Sequence, residues 1–178
     1  LEVEEGTVYH LTEYRERRNH YSFYSLNRNP SGFDTDRNSF IGANRGVDNP
    51  VCVEEGTSKN TIAHGWYPCA SHRVDLELQP GESETLIFVL GYCENPEESK
   101  WTADGKINKQ PARQIIDSYK TESDVQQALT DLEKHWDSKL SHYQVESGDD
   151  KLDRMVNIWN QYQCMVTYTM SRSASYYE

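Results

Sequence analysis

The chain has 178 residues and a mass of 20.7 kDa, enough for one domain or one and a half and for a sizeable buried core. It carries 18 Lys+Arg against 29 Asp+Glu, a net charge of −11 spread over both halves, so a clustered basic footprint for nucleic acid is not expected. No apolar run approaches the ~18–20 residues of a membrane span, so no membrane partner is expected. The 12 Tyr and 4 Trp argue against disorder.

Residues 1–93 read as β structure, with short runs rich in Tyr, Phe, Val, Ile and Thr between turn clusters. Strands are expected at 7–12 and 20–27, the second with Tyr21, Phe23 and Ser25 on one face. Residues 73–78 alternate most cleanly, with Val74, Leu76 and Leu78 inward and Asp75 and Glu77 outward. Gln79-Pro80-Gly81-Glu82 then supplies a turn, since Pro sets φ at the second position and Gly accepts positive φ at the third. The near-continuous apolar run at 84–92 predicts a strand buried on both faces, and the set favours an antiparallel β-sandwich.

Residues 94–109 read as a polar connector, after which the period becomes helical. Pro111 suits a first helical position ahead of 112–119. Thr121 and Asp124 form a capping box that opens a helix carrying Val125, Leu129, Leu132, Trp136, Leu140 and Tyr143 on one stripe. A break at 147–150, where Asp149 or Asp150 caps, precedes a further helix with Leu152, Met155, Val156, Trp159, Tyr162, Val166 and Met170. Its apolar stripe needs partner helices. Together with the start at Leu1, this predicts a piece of something longer, with the last helix the first member of a helical domain.

Cys52, Cys69, Cys93 and Cys164 include no Cys-x-x-Cys pair, so a zinc site has little support and four reduced thiols in a cytoplasmic protein are expected. Asp34, Asp36 and Asn38 have the spacing of a calcium loop, but Ser39 stands where Gly is needed and Arg45 where a bidentate Glu belongs. The two carboxylates also have the look of acid/base groups. The simpler account has both Asp side chains bonding local backbone in a turn, with Arg37 as counter-ion. His64 and His72 flank a Pro turn and read as structural groups before metal ligands, while His135 and His142 read as solvated. Arg15, Arg17 and Arg18 read with Glu16 as an ion-paired strand or loop. No Ser-His-Asp or Cys-His signature and no phosphate-cradling Gly loop is present. Trp159-Asn160-Gln161-Tyr162-Gln163 and the Arg172 segment combine aromatic rings, amides and a guanidinium. That composition fits a sugar or phosphate pocket, or helix–helix packing.

The segments 155–164 and 171–178 closely resemble the cellobiose phosphorylases of glycoside hydrolase family 94. So do Thr12 to His20, Gly32 to Arg37, Ala70-Ser71-His72, Pro80-Gly81-Glu82 and Leu90-Gly91-Tyr92. The resemblance covers essentially the whole chain. It implies residues 1–95 as the later part of an N-terminal antiparallel β-sandwich and 96–148 as a linker with two helices. Residues 149–178 would be the first helix of an (α/α)6 catalytic barrel. It implies inverting phosphorolysis of cellobiose to α-D-glucose 1-phosphate and D-glucose, a homodimer, and no metal or organic cofactor, phosphate being a substrate. Arg172 of Ser171-Arg172-Ser173 is then the position expected to bind phosphate, and the general-acid Asp is expected beyond residue 178, leaving no catalytic residue in this chain. Alternatives are a phosphorylase for another β-linked disaccharide, such as chitobiose or laminaribiose, or a non-catalytic carbohydrate-binding sandwich.

Overall fold

The computed structural model describes residues 1–11, 14–15 and 18–170. Strands β1 (Glu2–Glu4), β2 (Thr7–His10), β3 (His20–Leu26), β4 (Gly32–Asp36), β5 (Pro68–Arg73) and β6 (Phe88–Glu94) precede the main helices. The short helices α1 (Arg37–Ile41) and α2 (Val51–Glu54) lie between β4 and β5. A 3-10 turn at Glu97–Ser99 leads to α3 (Gln110–Asp117), α4 (Glu122–Leu140), α5 (Asp150–Arg154), a π-helical segment Met155–Asn160 and α6 (Gln161–Met170). The expected antiparallel β part followed by a helical part is thus what the chain forms. It divides into two compact units, Leu1–Val125 and Gln126–Glu178.

In the first unit, one antiparallel sheet has the order β1-β2-β3-β6, and β4 pairs with β5 in a second. The alternation in β3 does what its sequence predicts: Tyr21, Phe23 and Ser25 are buried on one face. Tyr9, Tyr14, Tyr21, Phe23, Cys93 and Ala112 make the core, with Ile115 and Ile116 of α3 packed against it. Phe23 pairs across the ladder with Gly91, where an added Cβ would stand 2.2 Å from the Phe23 ring. Only Gly lets the ring lie flat on the neighbouring strand.

Two strand expectations need correction. Residues 73–78 are not a strand: β5 ends at Arg73, and Leu76 and Leu78 are exposed. Alternation needs a ladder partner to become a strand. Here Asp75 is instead drawn to the Arg73 guanidinium, with a bidentate pair at 3.0 and 2.8 Å, and to the Ser31 hydroxyl. The run at 84–92 enters the sheet only at Phe88, because β3 ends at Leu26 and the Asn27 side chain takes the Ile87 N–H at 3.0 Å. β6 then alternates, with Cys93 buried and Phe88, Leu90 and Tyr92 exposed, so it is not buried on both faces. The turn between the two runs forms as expected, Glu82 N–H donating to Gln79 C=O at 2.9 Å with Gly81 at φ 88°.

The polar connector is mostly exposed but sends three polar side chains into the interior. Asn95, Lys100 and Lys109 are all buried. The Asn95 amide donates to the Tyr14 hydroxyl at 3.0 Å and to the Asn108 carbonyl at 2.8 Å, and Tyr14 in turn donates to the Lys100 carbonyl. Lys109 sits over the Tyr9 ring, 4.7 Å from its centroid, and its ammonium is held by Glu2 and Glu4 of β1. Burial lowers the Lys109 pKa, but the two carboxylates outweigh it and raise the pKa above the ordinary lysine value.

Beyond the connector the helix signals hold. Pro111 lies in the first turn of α3, and Thr121 and Asp124 cap α4 reciprocally, Thr121 N–H to Asp124 at 2.9 Å and Asp124 N–H to Thr121 Oγ1 at 3.2 Å. Asp149 caps α5 by accepting from Lys151 and Leu152 N–H.

His72 of β5 stacks on Tyr24 of β3 with ring centroids 5.1 Å apart, and its ring nitrogens are buried. Burial pushes the imidazole pKa below its ordinary 6.5, against the opposing pull of the Gly6 backbone. As pH falls below 6.5, the unfolded chain protonates this group before the folded one does, so stability falls until the folded-state pKa is passed. His72→Phe keeps the stack and removes the titration. The variant is expected to lose less stability than the wild type between about pH 7.5 and about pH 5.5, read from denaturant midpoints. Identical pH dependence in the two would remove His72 from this role.

Candidate functional site

The carboxylates singled out in the sequence both lie on β4 and both serve the backbone. Asp34 is fully buried. Its Oδ1 accepts from Thr61 Oγ1 at 2.8 Å and from Thr61 N–H at 3.2 Å, and its Oδ2 from Lys59 N–H at 3.0 Å. Those partners are more than twenty residues away, so the expectation of a purely local turn is corrected for Asp34: it fastens the 59–61 segment to β4. Asp36 acts locally, capping α1 by accepting from Ser39 N–H at 2.7 Å. The Ser39 hydrogen bonds hold the Asp36 carboxyl below the usual range.

The thiols of this unit are equally withdrawn. Burial raises the pKa of Cys52 and of Cys93, and burial with the nearby Asp34 and Asp36 carboxylates pushes Cys69 up to about 11. His64 is exposed, while His72 packs on Tyr24. Among the described residues no group of three or more His, Cys, Asp or Glu could hold a metal ion. Arg15 and Arg18 form an antiparallel bridge; Glu16 and Arg17 lie outside the described residues, as do Thr12 and Glu13.

In the second unit, α4 and the helix that runs from α5 to α6 border a groove of about 740 Å³. Its lining includes Trp136, Leu140, Ile158, Tyr162 and Met165, with His135 and Lys139 alongside. Its titratable lining is His135, Lys139 and Tyr162, with no carboxylate among the described residues that border it. The aromatic and amide cluster of the sequence splits here. Trp159 lies edge-on to Tyr162, with centroids 6.0 Å apart. Gln161 spends its amide on main-chain carbonyls, reaching Asn157 at 3.0 Å, Tyr143 at 3.2 Å and Leu140 at 3.4 Å. Asn157 clasps Val145 from both sides, accepting from its N–H at 2.7 Å and donating to its C=O at 2.9 Å. These amides hold the 140–145 loop and do not face outward to read sugar hydroxyls. Nothing in the sequence marked Asn157 for this; its pairing with a residue twelve positions earlier has no local signal. Arg172, with the rest of 171–178, lies outside the described residues.

Residues 1–122 match the glycosyl hydrolase 94 supersandwich domain, and residues 135–178 match the catalytic domain of the glycosyl hydrolase 94 superfamily. The chain belongs to glycosyl hydrolase family 94. An N,N'-diacetylchitobiose phosphorylase of Vibrio proteolyticus is 29% identical over 84% of this chain, and one of Vibrio furnissii is 30% identical over 82%. A 3-O-beta-D-glucopyranosyl-beta-D-glucuronide phosphorylase of Paenibacillus borealis is 24% identical over 81%. The alignments cover 17%, 16% and 17% of those proteins, so the chain spans about a sixth of the length of the curated relatives it matches.

Asp34→Asn tests the fastening role. The new amide would turn N–H groups toward the Lys59 N–H that the carboxylate accepts. The expected cost is about 1–3 kcal/mol of stability in a denaturant titration of the protein that contains this chain. Turnover per folded molecule should change little. A selective collapse of turnover at wild-type stability would restore Asp34 as a catalytic candidate.

Proposed function

We propose that this chain is the sandwich-to-barrel part of an inverting disaccharide phosphorylase that converts cellobiose and phosphate to α-D-glucose 1-phosphate and D-glucose. The observation that carries the reading is the order of the two family matches, supersandwich then catalytic domain, with similar proteins named as disaccharide phosphorylases. Cellobiose is the finer part of the proposal and rests on the resemblance of the 155–164 and 171–178 segments. The proposed division is sandwich to residue 95, linker from 96 to 148 and the first barrel helix from 149.

A phosphate oxygen attacks the anomeric carbon as the bond to the leaving glucose oxygen breaks. An acid protonates that oxygen, and the anomeric configuration inverts. Hydrolysis with inversion needs a base to activate water as well. Phosphate arrives as an anion, so one acid suffices, with donors to hold the phosphate in line. We assign phosphate binding to Arg172 and place the acid outside this chain. The reaction as written needs no redox group and no organic cofactor. A cytoplasmic homodimer is the proposed setting.

The test uses the full-length protein encoded by the reading frame that contains this chain. It measures phosphate-dependent release of glucose 1-phosphate or its N-acetylated counterpart from a panel of β-linked disaccharides. Turnover of cellobiose supports the proposal, while turnover of N,N'-diacetylchitobiose alone keeps the mechanism and moves the specificity. Absence of phosphorolysis across the panel defeats it. In the same assay Arg172→Ala is expected to raise the KM for phosphate about tenfold or more, the loss of one charge-assisted contact. An unchanged phosphate KM would take Arg172 out of the site.

A further inference from the structure

The loop that leads into β5 is fastened at both ends. Ala63 is buried and its N–H donates to Thr35 Oγ1 of β4 at 2.8 Å. Four residues on, the Tyr67 carbonyl accepts from the Arg37 N–H at 3.2 Å, and Pro68 stands opposite Asp36 in the β4–β5 ladder. Between these anchors the backbone turns outward through Gly65 at φ 92° and Tyr67 at φ 46°. A bulky side chain seldom adopts the left-handed region, and it stays there only where its surroundings hold it.

Two aromatic rings are presented by this turn. Trp66 is 75% exposed and Tyr67 55%, with ring centroids 5.6 Å apart and planes at 86°, so the rings form a corner open to solvent. Among the described residues the Trp66 indole N–H and the Tyr67 hydroxyl have no hydrogen-bond partner. Arg37, expected from the sequence as counter-ion to Asp34 and Asp36, ion-pairs with neither, and its exposed guanidinium belongs to the residue whose N–H holds Tyr67. The corner thus offers flat apolar faces together with donors that have no acceptor.

That combination selects its occupant. An apolar protein surface laid on the corner would bury those donors unpaired, which is costly. A strongly anionic ligand meets a chain of net charge −11. A neutral pyranose answers both features, since its C–H face lies flat on an aromatic ring while its hydroxyls accept from the indole, phenol and guanidinium groups. Trp and Tyr give contact area with few rotors to freeze, and a loop fixed at both ends has little ordering left to lose.

We propose that the Trp66–Tyr67 corner is a saccharide-binding site on the first unit, with Arg37 beside it as a hydroxyl donor. The ligand class is a β-1,4-linked pyranose chain, whose equatorial linkages leave flat C–H faces along its length. The choice of β-linked sugars rests on the phosphorylase reading above; the corner itself does not.

Native electrophoresis of the full-length protein tests it, in phosphate-free gels cast with hydroxyethyl cellulose, glycol chitin or, as an α-linked control, dextran. The wild type is expected to be retarded in at least one of the two β-linked gels and not in dextran. Trp66→Ala and Tyr67→Ala are expected to weaken that retention about tenfold or more, the loss of an anchoring ring, with Tm unchanged for Trp66→Ala. A wild type that runs freely in both β-linked gels, or is held equally by dextran, would overturn the proposal. So would retention that survives both substitutions. A change of oligomeric state in the variants with retention intact would assign the corner to a contact between copies of the chain and overturn it too. The gels contain no phosphate, so a protein without phosphorolysis still gives a result here, and failure of the functional reading is seen separately from failure of this one.

Discussion

The first unit depends on a buried amide. Asn95 has no exposed surface, and its two N–H groups are taken by Tyr14 and Asn108. Leaving a buried donor unpaired costs about 1–3 kcal/mol, so each of those contacts is enforced by the cost of losing it. The consequence runs outward. Tyr14 is drawn onto the Lys100 carbonyl, Asn108 accepts from Tyr21 at 3.1 Å, and the connector is laid across the tyrosine-rich face of the sheet. Only then does α3 begin at a point from which Ala112, Ile115 and Ile116 cover that face. Lys109 closes the arrangement by linking the start of α3 to β1 through Glu2 and Glu4.

The segments that carry the family resemblance are, in this unit, the ones that build the fold. Tyr14 and Asn19 belong to the buried amide network, Asp34 fastens the 59–61 segment, His72 stacks on Tyr24, and Gly91 gives room to Phe23. Apart from His72, which contributes a stacked ring, each is a position where a polar group is paired in the interior or where a side chain would collide. Motifs of that kind identify a family by its architecture and say little about its substrate.

Much of the fold was legible because it is written in local chemistry. The period of two in β3, the Pro-Gly turn after 79 and the caps at Thr121 and Asp149 act over a few residues. What was not legible depends on partners distant in sequence. Residues 73–78 alternate as well as any strand and have no ladder, whereas Asp34 finds donors beyond Cys52 that no spacing rule foretells. The connector read simply as polar. Most of it is exposed, but Asn95, Lys100 and Lys109 turn inward to hydroxyls, carbonyls and carboxylates that require pairing. The π segment leaves no mark in composition, since a widened turn comes from the contacts that hold it and not from the residues within it.

That same pairing bears on where chemistry can take place. In the first unit burial raises the pKa of the Cys52, Cys69 and Cys93 thiols, the Asp34 and Asp36 carboxylates accept backbone N–H groups, and the Lys109 ammonium is neutralised by two glutamates. A hydrolase built on such a domain would need a base and an acid from elsewhere. A phosphorylase asks for less, because its nucleophile enters as a substrate already charged, and the protein has to hold it in line with the bond to be broken. The second unit spends Asn157, Gln161 and Gln144 on fixing main-chain groups around one helix turn, where freely rotating amides would have served a sugar better.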